Sequence, residues 1–206
     1  MIVPSMNFME IRKEHEKDFP IVMRKAQYVE KEIVKTYKPR NDEAYIQYFD
    51  YKSKYQNTWI YRIVASKKTS HYDFMMYYYD RTGIKGIFSL NDDRGYVAYL
   101  TNHFFGRYNE RLHLNLVYPN DIIRSFIGDN REFRMKFLDV IGIGERAMFC
   151  YTGTGVILGT VDHLLGVYCM NTFISNDMLF KDQRKMVEQL KTLYLAEGES
   201  NEMMNF

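Results

Sequence analysis

Cysteine is nearly absent from this chain, with Cys150 and Cys169 the only two in 206 residues. That excludes a disulfide-stapled extracellular scaffold. Both read as reduced, buried thiols of a cytoplasmic protein, in segments of strand-like composition where Cys acts as a small apolar residue. Proline is scarce and tryptophan occurs once. No low-complexity linker and no internal repeat divides the sequence. No apolar run approaches the roughly 18–20 residues that cross a bilayer. Residues 1–17 turn charged early and lack a basic stretch followed by an apolar one, so neither a membrane span nor a signal peptide is expected. Charge of one sign is also missing: the net charge is +2, too small to imply nucleic-acid binding by itself.

What is present begins with aromatics, 18 Tyr and 14 Phe. Tyrosine offers an apolar face and a hydroxyl, which suits strands, interfaces and base stacking. Residues 51–100 hold eight Lys or Arg against four Asp or Glu, whereas residues 151–206 hold four against seven. The middle of the chain is therefore mildly basic and its C-terminal end acidic.

The periodicity predicts an α+β fold: an antiparallel sheet with N-terminal helices, a central helical pair and a C-terminal helix. One domain is expected over 1–206, with a helical N-terminal part (1–55), a sheet-containing core (56–195) and a frayed tail (196–206). Val22, Ala26, Val29, Ile33 and Tyr37 line one face of a helix within 7–38, which Pro20 is expected to divide from a shorter first helix. Lys38-Pro39-Arg40-Asn41-Asp42 is a stop, and residues 42–52 are read as another short helix. Four strands follow in residues 59–65, 72–79, 84–90 and 96–100, joined at Lys67-Lys68-Thr69-Ser70, Asp80-Arg81-Thr82-Gly83 and Asn91-Asp92-Asp93-Arg94-Gly95 as a meander. Thr101 or Asn102 caps a helix over 103–112, and Pro119 opens another over 120–128. Residues 131–144 fit no regular element. Strands are expected at 148–152, 156–161 and 165–174, then a helix at 177–195.

The candidate chemistry centres on Thr101-Asn102-His103-Phe104-Phe105-Gly106-Arg107-Tyr108-Asn109-Glu110-Arg111-Leu112. At about 100° per residue, His103, Arg107, Glu110 and Arg111 share one third of the helix circumference, and Phe104, Phe105, Tyr108 and Leu112 the adjoining face. Imidazole moves protons near neutral pH. Guanidinium binds phosphate in bidentate fashion. The carboxylate serves as base or holds an arginine. The plain alternative is an amphipathic helix with a solvated polar face and an internal Glu–Arg pair.

The order strand, His at a helix start, basic helix, second helix, then a sheet reaching Thr172 in Cys169-Met170-Asn171-Thr172-Phe173-Ile174-Ser175 resembles the bacterial barnase, colicin and toxin-type ribonuclease group over about residues 95–175. The resemblance implies an RNA-directed, metal-independent phosphodiesterase, a toxin with RNA as substrate and a protein inhibitor as partner. His103 would be its acid/base, Arg107 and Arg111 its phosphate holders, and Thr172 a hydroxyl donor. The long N-terminal half departs from that group's pattern. The second reading is a non-enzymatic binding or structural protein, with a Tyr-rich surface that meets a partner or its own copy.

Other patterns are weaker. Gly153-Thr154-Gly155-Val156-Ile157-Leu158-Gly159 lacks the Lys-Ser or Lys-Thr and the following helix of a phosphate loop, and reads as a hairpin. His15-Glu16 has no second His four residues on, so the zinc-protease pattern fails. His103, His113, Asp162 and His163 would form a metal site only by folding together, and neither metal nor cofactor is expected. Cys150 and Cys169 have no histidine at a telling spacing. Tyr77-Tyr78-Tyr79 must alternate across a strand, as ordinary packing or as a stacking platform.

Overall fold

The computed structural model describes residues 1–37, 44–66, 69–90, 95–130 and 133–203, with side chains as far as residue 193. The expected stop at 38–42, the turn residues 67–68 and 91–94 and the last residues of the chain lie outside that range, wholly or in large part. Among the described residues there are four α-helices and nine strands, the strands forming one sheet in the order β1-β2-β3-β4-β5-β9-β8-β7-β6.

Helix α1 (Phe8–Thr36) starts at a capping box: Asn7 accepts from the Glu10 amide while Glu10 accepts from the Asn7 amide, which satisfies two otherwise orphaned donors. The expected break at Pro20 does not occur, and α1 is a single helix with Pro20 inside it. Ile11, His15, Asp18, Val22 and Ala26 form a buried stripe spanning the proline. Packing that stripe outweighs the one backbone hydrogen bond Pro20 cannot donate, and Pro20 sits on the exposed side, where water can solvate the carbonyl left over.

Strands β1 (Tyr45–Lys52), β2 (Thr58–Ala65), β3 (Ser70–Asp80), β4 (Gly83–Ser89) and β5 (Val97–Leu100) form an antiparallel meander. The helix expected at 42–52 is thus corrected to a strand. Its Tyr45, Ile46, Tyr48, Phe49 and Tyr51 are β-formers, and β1 pairs with β2 from Tyr45↔Ala65 to Lys52↔Thr58. After α2 (Asn102–Arg111) and α3 (Pro119–Asp129) comes a second antiparallel meander: β6 (Arg134–Gly142), β7 (Glu145–Thr152), β8 (Gly155–Asp162) and β9 (Val167–Ser175). The irregular stretch at 131–144 is largely β6, whose register shifts on either side of Val140 obscure any period of two. The sheet is not wholly antiparallel, because β5 and β9 pair in parallel, Val97↔Val167 to Leu100↔Met170. In place of one helix at 177–195, a 3-10 turn at Asn176–Met178 precedes α4 (Lys181–Met203).

Both sheet faces are covered, which explains the nearly continuous apolar runs of β2 and β3. Ile60, Met75, Phe88 and Leu100 face α2 and α3 in a core that continues through Ile157, Tyr168 and Phe173 of the second meander. Their neighbours Trp59, Tyr61, Phe74 and Met76 point the other way, against α1. Phe149 and Val156 meet Leu179 and, from α4, Val187 and Leu190. No helix among the described residues is long and apolar enough to cross a membrane.

Candidate functional site

Helix α2 begins where the sequence places it. Thr101 is the N-cap, its hydroxyl accepting from the Phe104 amide at 3.1 Å. Phe104, Phe105 and Tyr108 are buried in the core, which turns the polar face outward. His103 is exposed. Arg107 donates to Glu110 at 2.8 Å across the helix surface. Arg111 donates to the Phe173 carbonyl on β9. Thr172 lies elsewhere. It pairs with Leu158, which packs in the α4-side cluster, while Phe173 packs on Tyr108 with ring centroids 5.0 Å apart. Strand neighbours face opposite sides, so Thr172 sits on the α4 side of the sheet and α2 on the other. The structure brings His103, Arg107 and Glu110 to one surface and ties Arg111 to β9. It does not bring Thr172 onto that surface.

A more enclosed arrangement lies between α1 and the ends of β3, β4 and β5. A cavity of about 430 Å³ is lined by His15, Phe19 and Met23 of α1 together with Tyr72, Phe74, Ser89 and Tyr96 among others. His15 lies on the buried stripe of α1, its ring stacked on Phe19 at 5.4 Å and tilted against Trp59 at 5.3 Å. Its Nε2 is 2.8 Å from the Ser89 hydroxyl. Its Nδ1 is buried and has no hydrogen-bond partner. One turn on, Asp18 is fully buried. Its Oδ2 accepts from Trp59 Nε1 at 2.8 Å and Asn57 Nδ2 at 3.1 Å, and its Oδ1 is unpartnered. Burial pushes the His15 imidazole down to about 4, opposed by the charge of Asp18 and reinforced by that of Arg12. The imidazole is therefore neutral at neutral pH. Nearby, Ser70 and Tyr72 both donate their hydroxyls to Glu30. Burial first, and then Glu30, raise the Tyr72 phenol.

The remaining patterns are structural in form. Gly153-Thr154-Gly155 is the hairpin turn between β7 and β8. Tyr77 is buried on the α3 side, Tyr78 shares a hydrogen bond with Tyr99 at 3.1 Å, and Tyr79 is exposed. No three His, Cys, Asp or Glu side chains among the described residues group as a metal site would require. A larger hollow between β6 and α4, about 620 Å³, is walled by Met135, Leu190 and Leu193 with charged residues at its rim. Among the described residues, none of the polar side chains that line it is buried.

In the sequence, His15 stands out only as half of a zinc motif. The usable signal was the spacing His15, Asp18, Val22, Ala26, which sets an imidazole and a carboxylate on an apolar helical stripe. Ser89 carried no such signal, because its partner is 74 residues away. No model of a known protein family, no curated protein and no solved structure matches the chain.

Proposed function

We propose that the chain binds a small, mainly apolar molecule with a hydrogen-bonding head in the cavity between α1 and β3–β5. One observation carries this reading: a buried histidine with an unpartnered ring nitrogen stands in the wall of a cavity lined by aromatic rings together with the polar side chains of Glu16, Ser70 and His71. Buried polar atoms are satisfied as a rule. The volume falls in the range of small-molecule sites, which combine apolar walls with a few placed polar groups.

Trp59, the single tryptophan, touches the His15 ring and reports on the site. A panel of aromatic and aliphatic alcohols, acids and esters is titrated against Trp59 emission. A saturable change that Leu90→Phe abolishes, at unchanged melting temperature, supports the site. No saturable change with any member, or one indifferent to Leu90→Phe, rejects it.

A second reading is cleavage of RNA phosphodiesters by the exposed face of α2, with His103 as acid/base and Arg107 and Arg111 as phosphate ligands. It is supported by the exposure of His103 one turn from Arg107, and by the hydrogen bond that anchors Arg111 to β9. Its test is degradation of total RNA in EDTA by the wild type beside His103→Ala. Equal degradation by both, or none by either, removes it.

A further inference from the structure

We propose that Ser89, with His15 as its base and Asp18 as the residue that positions that base, is a nucleophile that accepts the acyl group of a small ester or thioester seated in the cavity between α1 and the sheet. This rests on the reading of the cavity as a ligand site and adds a reaction to it.

The geometry supplies three parts. The Ser89 hydroxyl and His15 Nε2 are 2.8 Å apart, within the reach a nucleophile and its base require. Both residues line the cavity. Asp18 stands one turn along the same buried helical face, with one carboxylate oxygen fixed by Trp59 and Asn57 and the other open.

The tautomer connects these parts. For Nε2 to accept the Ser89 proton, the ring must carry its own proton on Nδ1. His15 Nδ1 and Asp18 Oδ1 are both unpartnered, one turn apart on the same buried helical face, and the Asp18 charge favours the cationic imidazole. The flanking Phe19 and Trp59 rings hold the imidazole against other rotations. A purely structural His–Ser hydrogen bond gives no reason for two unsatisfied polar atoms in adjacent turns, since each costs about 1–3 kcal/mol.

The chemistry balances within the site. Ser89 Oγ bonds to the acyl carbon while its proton passes to His15 Nε2. The bond to the leaving oxygen or sulfur breaks as that atom takes the proton from Nε2. Water then attacks the acyl-serine and gives a proton to Nε2, which returns it to Ser89 Oγ as the carboxylic acid leaves.

The experiment uses the full chain, a fluorophosphonate and short-chain 4-nitrophenyl esters. Mass spectrometry is expected to find one adduct, on the peptide bearing Ser89, and none with Ser89→Ala. His15→Gln is expected to slow labelling about 100-fold, in line with the loss of a general base. Asp18→Asn should slow labelling and change its pH profile, because the Asp18 charge raises the His15 imidazole. Because both histidine and aspartate variants could lose the fold, Ser89→Cys serves as a second probe. Its thiol should be alkylated by iodoacetamide faster than Cys150 and Cys169. If a non-reactive analogue binds, read from Trp59 emission, but Ser89 is not labelled, the nucleophile is rejected and the cavity site stands. If neither occurs, both are rejected. Labelling that persists in Ser89→Ala also overturns the proposal.

Discussion

Arg62 and Asp73, opposite each other on β2 and β3, form an ion pair inside the protein. Arg62 Nε and Nη2 reach the same carboxylate oxygen at 2.8 and 2.5 Å, and Nη1 donates to the Gly128 carbonyl of α3 at 3.1 Å. The arginine side chain is 1 % exposed. His71 Nε2 stands 3.0 Å from the other Asp73 oxygen. The pair therefore links two strands and a helix through one guanidinium.

Removing one partner leaves a buried charge uncompensated. Asp73→Ala is expected to lower unfolding free energy by about 3–5 kcal/mol, read from urea denaturation. The double variant Arg62→Met with Asp73→Leu should recover much of that loss. Equal losses from the single and double variants would show that the pair itself stabilises the fold.

His15 sets a pH dependence of stability. Its folded value of about 4 lies below the unfolded value of 6.5. Between those values the unfolded chain binds a proton that the folded chain refuses. Stability is thus full above about pH 6.5 and falls as the pH drops toward 4, by about 3 kcal/mol in all. Urea midpoints at pH 7 and pH 4.5 measure this. His15→Gln should flatten that segment of the profile, and an unchanged slope would contradict the assignment.

Two glycines separate opposite effects of the same substitution. Gly106 lies mid-helix in α2 with open space around the position of a side chain. Gly106→Ala should stabilise the protein by about 0.5–1 kcal/mol through the backbone entropy of the unfolded state. At Gly159 a Cβ would run into the Cys169 carbonyl on the paired strand. Gly159→Ala should destabilise by more than Gly106→Ala stabilises, because backbone cannot swing aside as a flexible side chain does. Melting temperatures of both variants decide.

The thiols should be inert in the folded protein. Burial raises Cys150 strongly and pushes Cys169 up to about 11. Only thiolate reacts quickly. Ellman's reagent at pH 8 should therefore consume both thiols in urea and react only slowly without it. Rapid native reaction at either would contradict the burial.

Features governed by neighbouring residues were legible in the sequence. The Thr101 cap, the Pro119 helix start and the turn at 80–83 depend on residues a few positions apart, and local chemistry decides them. Distant partners decided the rest. Pro20 reads as a break until the burial of Ile11 through Ala26 is known. Residues 45–52 become a strand because β2 offers a ladder. The face shared by His103, Arg107 and Glu110 follows from helical period alone, whereas the side on which Thr172 lies depends on its register with Leu158. The closeness of Ser89 and His15 arises only when α1 docks on the sheet.

The parallel seam between β5 and β9 has a consequence for biosynthesis. Each antiparallel meander can assemble as it leaves the ribosome, since its strands follow one another. Val97 to Leu100, however, gain their second pairing only when residues 167–170 emerge, after the first three strands of the second meander. Until then the nascent chain carries an open strand edge, the kind of surface that recruits other chains. Chains truncated before β9 should therefore tend to aggregate, because the last strand is the one that joins the two halves of the sheet.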